Sequence, residues 1–126
     1  MDHDDLRELF ASFGPVMVRR MFGGAGIFAD ESMIALVIDQ IVYLKSDEGM
    51  IAELEREGMG PFVYATKDGS RSVRSYWRMP DRLYDDPDEL ASWARRSLEA
   101  ARASTAARRP RRGVRRKSRK VRQISS

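Results

Sequence analysis

The chain has 126 residues, 42% of them hydrophobic, which suits one domain with a real core over about a hundred residues. It contains no Cys, which excludes disulfides, thiolate chemistry and Cys-based zinc sites, and no apolar run nears the ~20 residues that cross a bilayer. The formal charge of +4 is unevenly spread: eleven of the 23 Lys and Arg lie from Arg102 onward with no acid among them, so the first 101 residues keep twelve bases against all 19 acids, a net of −7.

The N-terminal Met1-Asp2-His3-Asp4-Asp5 is acidic and unlike a secretion signal. Leu6, Leu9, Phe10 and Phe13 then share one helical face, with Asp2 or Asp4 as cap and Gly14-Pro15 as stop. Val16 to Phe28 reads as one extended stretch with a break at Gly23-Gly24-Ala25-Gly26. Asp30-Glu31-Ser32 forms a turn, Met33 to Ile38 a strand, Asp39-Gln40 a tight turn and Ile41 to Lys45 another strand. Such short connections demand antiparallel pairing. Ser46 caps a second helix with Met50, Ile51 and Leu54 on its apolar side, and Gly58 stops it. Pro61 to Ala65 and Arg71 to Met79 form a hairpin around Lys67-Asp68-Gly69. Asp86-Pro87-Asp88-Glu89 starts a third helix, which carries Leu90, Trp93, Ala94, Ser97, Leu98 and Ala101 at helical spacing and ends near Ala103.

The order α-β-β-β-α-β-β-α predicts an α+β fold: two layers, a five-stranded antiparallel sheet with helices on one face. Residues 1–103 form the domain and 104–126 a basic tail. Helices on one face leave the other open. Phe22, Phe28, Tyr43, Tyr64 and Tyr76 cannot all be placed by alternation, so some fall on the open face. An exposed apolar sheet face would mark a partner site, for a homodimer or an adaptor.

In the tail, Arg108, Arg109, Arg111, Arg112, Arg115, Arg116, Lys117, Arg119, Lys120 and Arg122 crowd fifteen positions with nothing aromatic. Such a segment cannot bury enough apolar surface to offset its ordering entropy and is expected to be disordered when free. Its charge favours a polyanion, DNA or RNA, bound without reading sequence. A solubilising tail, or one folded back on the acidic body, are the alternatives. The tail lacks the bulky apolar face of an interfacial helix, so no membrane partner is expected.

In the last strand Arg74, Tyr76 and Arg78 alternate against Val73, Ser75, Trp77 and Met79. Charge interleaved with an aromatic ring suits single-stranded nucleic acid or a partner face; a solvated strand with cross-strand pairs is the plainer reading. Gly24-x-Gly26-x-x-Ala29 fits a shortened dinucleotide fingerprint, but a strand follows where that motif needs a helix, so close backbone approach explains it better. The lone His3 sits in a terminus expected to fray, because few contacts hold chain ends, so it is a poor base or ligand. The Asp85-Asp86 and Asp88-Glu89 cluster reads as a helix cap. No catalytic residue, cofactor or metal is expected.

Arg20-Met21-Phe22-Gly23-Gly24-Ala25-Gly26-Ile27-Phe28, with Met33 to Ile38, Val42 to Lys45, Gly60-Pro61-Phe62-Val63-Tyr64, Tyr76 to Pro80 and Asp85 to Ala94, resembles the TfoX/Sxy family N-terminal domain over roughly residues 5–103. The resemblance implies a two-layer fold similar to type III secretion chaperones and a bacterial cytoplasmic protein. Full-length relatives regulate natural competence as transcriptional co-activators with the cyclic-AMP receptor protein and carry a second, helical domain. Here a short member with a basic tail in that place is expected. The expected role is a non-enzymatic accessory regulator whose domain docks a protein partner while the tail holds nucleic acid. The rival is a chaperone-like adaptor with a solubilising tail.

Overall fold

The computed structural model describes residues 1–21 and 23–108, without the side chains of 107 and 108. In chain order it has α1 (His3–Leu9), β1 (Met17–Met21), β2 (Gly24–Ala29), β3 (Ser32–Ile38), β4 (Ile41–Lys45), α2 (Glu48–Arg56), β5 (Pro61–Thr66), β6 (Gly69–Arg78), a 3₁₀ turn (Asp81–Asp85) and α3 (Pro87–Arg108). The strands form one antiparallel sheet in the order β1-β2-β3-β4-β6-β5.

The sheet has six strands where the sequence predicts five. The stretch from Val16 to Phe28 is a hairpin, with Met21 opposite Gly24. Gly23 takes φ 76°, open to glycine at no steric cost, so the glycine-rich break is a reversal of direction. Gly24 and Gly26 have a second role. A Cβ on Gly24 would strike the Val37 carbonyl, and one on Gly26 would lie 2.9 Å from the Met33 sulfur. Both glycines lie in a strand, so no helix opens there to meet a phosphate.

Asp30-Glu31 and Asp39-Gln40 are two-residue turns with φ of 49° and 67°, and 51° and 64°. Paired left-handed residues match the twist of the flanking strands and fix their register. α1 is capped by Asp2, whose Oδ1 accepts from the Asp5 N–H at 2.8 Å. α2 is capped by Asp47, not Ser46: the Met50 N–H donates to Asp47 Oδ1 at 2.9 Å. Ser46 is buried, and its hydroxyl donates backward to the Leu44 carbonyl at 2.8 Å. α3 runs on to Arg108, five residues past the expected end, because nothing before Pro110 breaks a helix.

The helices pack on one face. Leu6 of α1 and Phe10 just past its end, Met50 and Leu54 of α2, and Leu90, Trp93 and Ala94 of α3 meet Ile27, Ala35, Val37, Val42, Leu44 and Trp77 in one core. Those strand positions alternate, so a single sheet face is covered. A bulge in β3 leaves Ile34 without an opposite residue on β2, and both Ile34 and Ala35 enter the core fully buried. The Tyr84 hydroxyl of the 3₁₀ turn accepts from the Val42 N–H at 3.2 Å, which ties that turn to β4. Burial raises the Tyr84 pKa despite this bond.

Candidate interaction site

The uncovered face begins with Leu36. It is only 5% exposed, yet it stands opposite Tyr43 and away from the helices. Around it lie Met33, Ile38, Tyr43, Phe62, Tyr64, Val73 and Tyr76, whereas Phe28 lines a separate cleft under Arg19. A second irregularity shapes the surface. Pro61 of β5 pairs with Trp77, but the next residue, Phe62, pairs with Val73. Residues 74–76 of β6 are therefore bulged, and the Trp77 Nε1–H donates across the bulge to the Arg74 carbonyl at 2.7 Å. Phe62 packs edge-on to Tyr43 at 5.0 Å between ring centres, and Tyr64 stacks on Phe62 at 6.0 Å.

The result is a groove of about 770 Å³, floored by Met33, Leu36 and Ile38 and walled by Phe62, Tyr64, Val73 and Tyr76. Its lining is predominantly apolar, with Asp39 at one end. Bulky apolar side chains lining a concave surface favour capture of another apolar surface. The Tyr76 hydroxyl donates to the Met33 carbonyl at 3.4 Å, and the Lys45 ammonium lies 5.2 Å above the Tyr76 ring.

Arg74, Tyr76 and Arg78 do not form one uniform row. Tyr76 lines the groove, and Arg78 stands opposite Tyr43 with Asp81 at 3.7 Å. Arg74 lies in the bulge and reaches Glu48 of α2 at 2.8 Å. Alternation fails at the bulge, so Val73 joins Tyr76 in the groove. Arg108 ends α3 without a described side chain. Arg109, Arg111, Arg112, Arg115, Arg116, Lys117, Arg119, Lys120 and Arg122 lie outside the described residues, as does Phe22.

The helical layer carries a different chemistry. Arg96 forms a forked pair with Glu53, at 3.2 and 2.5 Å, and stacks over Trp93. Arg82 pairs in the same way with Glu57, at 3.0 and 2.7 Å, and reaches Glu89 at 2.8 Å. The hydrogen bond from Arg96 holds the Glu53 carboxyl below its ordinary range, and those from Arg82 and Trp93 do the same for Glu89. Arg82 and Arg96 are raised in return. These pairs join α2, the 3₁₀ turn and α3. Asp86 in the acidic cluster accepts from the Glu89 N–H at 3.1 Å and so caps α3. Among the described residues no three His, Cys, Asp or Glu are grouped to hold a metal ion. Among the same residues no helix is long and apolar enough to cross a membrane.

Residues 8–101 match the TfoX N-terminal domain family, and the chain belongs to that family. It is similar to the DNA transformation protein TfoX1 of Aliivibrio fischeri (strain ATCC 700601 / ES114), with 29% identity over 101 residues. That alignment covers 77% of this chain and 48% of the relative, so the chain aligns with about half of the relative's length.

Proposed function

We propose that this TfoX-family domain is a non-enzymatic, cytoplasmic accessory regulator of the competence type. Its open-face groove docks a protein partner, and its basic tail holds the assembly on nucleic acid. The groove carries the docking half of the reading: a folded domain keeps Leu36, Ile38, Phe62 and Val73 together on a face that its own helices leave uncovered. The ten bases of residues 108–122, set against a body of net −7, carry the other half. Tethering raises the local concentration of a docked partner without any contact that reads sequence.

Anisotropy titration of labelled duplex DNA should compare the full chain with one ending at Arg108, which keeps α3 whole. The full chain should bind with log K falling against log salt at a slope of roughly −4 to −5, for about half the tail charges on phosphates. The shortened chain should bind far more weakly. Equal binding by both, or by neither, removes the tail reading and leaves the chaperone-like adaptor. Ile38→Glu, at a half-buried position on the groove floor, tests the docking half. A folded I38E chain that captures the same proteins as the parent would remove it.

A further inference from the structure

The two edges of the sheet are not alike. β1, at one edge, carries Arg19 and Arg20, and charge on an edge strand is a common guard against pairing with another chain. β5, at the other edge, runs Pro61-Phe62-Val63-Tyr64-Ala65-Thr66 with no charge at all. Val63 is 50% exposed and Tyr64 43%. Among the described residues β5 pairs only with β6, so its outer edge presents free backbone donors and acceptors beside exposed apolar side chains. Pro61 guards only its first position.

We infer that the outer edge of β5 is the seat of a second copy of this chain, paired antiparallel, β5 on β5, about a two-fold axis. Two-fold pairing sets a surface against itself, so the surface must be self-complementary. β5 meets that demand because it has no charge to repel its twin. The two-fold axis passes through one opposed pair, and a centre on Val63 places Val63 against Val63 of the second copy and Phe62 against Tyr64 of the second copy, an aromatic cross-strand pair. The same register sets the Lys67 of the hairpin turn toward Met59 and away from its own counterpart. Protein partners with a strand of their own could use this edge too, but an uncharged edge matches an identical one without any further adjustment. Six residues per copy is small beside a typical stable interface, so association is reversible and concentration-dependent. The dimer carries two basic tails, and simultaneous engagement of one polyanion strengthens binding beyond that of either tail. This inference goes beyond the regulatory reading; Val63 and Tyr64 also line the groove, so I38E, on the groove floor and three strands from this edge, separates the two, and a dimer lost in I38E overturns the edge pairing.

Sedimentation equilibrium of the full chain at high salt, where tail and acidic body no longer attract between molecules, tests the inference. The expected result is a mass that rises toward twice the chain mass with concentration. Val63→Lys and Tyr64→Lys, each at an exposed position, should both return the mass to that of one chain while the thermal melt keeps its cooperativity. A monomer at every concentration overturns the inference. So does a dimer that survives both substitutions, or one that forms only at low salt.

Discussion

Ser97 offers a test of the core from inside α3. It is fully buried on the helix face that also carries Leu90, Trp93, Ala94 and Ala101. Its hydroxyl has no hydrogen-bond partner among the described residues. A buried polar group left unpaired costs about 1–3 kcal/mol, and Ala exceeds Ser in helix propensity by about 0.5 kcal/mol. Removing the oxygen also forfeits several packing contacts of about 0.1–0.2 kcal/mol each. The balance predicts that Ser97→Ala stabilises the domain by about 1–2 kcal/mol. For a domain of this size each kcal/mol moves the midpoint by about 4–8 °C, so the shift is easily read by calorimetry or circular dichroism. Ser92→Ala, on the exposed side of the same helix, supplies the propensity term alone. The reasoning is refuted if S97A melts no higher than S92A, because the buried hydroxyl would then carry no penalty.

Two other perturbations follow from local geometry. Gln40 holds φ 64° at the second position of the β3–β4 turn, where a side chain costs about 1–2 kcal/mol and Gly does not, so Gln40→Gly should raise the melting midpoint; a lower midpoint would count against the turn assignment. The depressed carboxyls of Glu53 and Glu89 contribute stability that is complete above the ordinary glutamate value of 4.5 and is lost as pH falls through their folded values. Melts taken across that acid range should show a shallower decline in Glu53→Gln than in the parent chain, and parallel curves would exclude the Arg96 pair as a source of acid sensitivity.

Local signals in the sequence carried most of the fold. Asp39-Gln40 and Asp30-Glu31 are short polar breaks between apolar runs, and both are hairpin turns. Asp86 is followed by Pro87 and Glu89, and it caps α3. What failed were choices that neighbouring atoms decide. Ser46 and Asp47 are both good caps, but the Leu44 carbonyl takes the Ser46 hydroxyl and leaves the capping role to Asp47. The glycine run marked a break but not a reversal, because φ at Gly23 is set by the pairing of Met21 with Gly24. The β6 bulge has no sequence signature: Val73, Ser75, Trp77 and Met79 alternate without a fault. It surfaces only when Trp77 is seen bonding the Arg74 carbonyl and Phe62 is seen opposite Val73. The groove depends on that bulge and on where three helices settle, so its aromatic members were recognisable but their arrangement was not.

The split between acidic body and basic tail takes on a direction once the elements are placed. None of the 19 acids lies in a strand: all are in helices, caps, turns or the N-terminal stretch. The strands instead hold Arg19, Arg20, Lys45, Arg71, Arg74 and Arg78. Within the helical layer Arg96 answers Glu53, and Arg82 answers Glu57 and Glu89. Asp47, Glu48 and Glu99 line a cleft with Lys45 beside Ala103 and Ser104 of α3, and there Arg74 answers Glu48. On the proposed reading, a polyanion held by the tail would meet more negative charge on the helical layer than on the sheet, whose strands hold no acid. The apolar groove lies on the uncovered side of that sheet, so on the same reading a docked partner would share the less acidic face with the nucleic acid, as tethering requires.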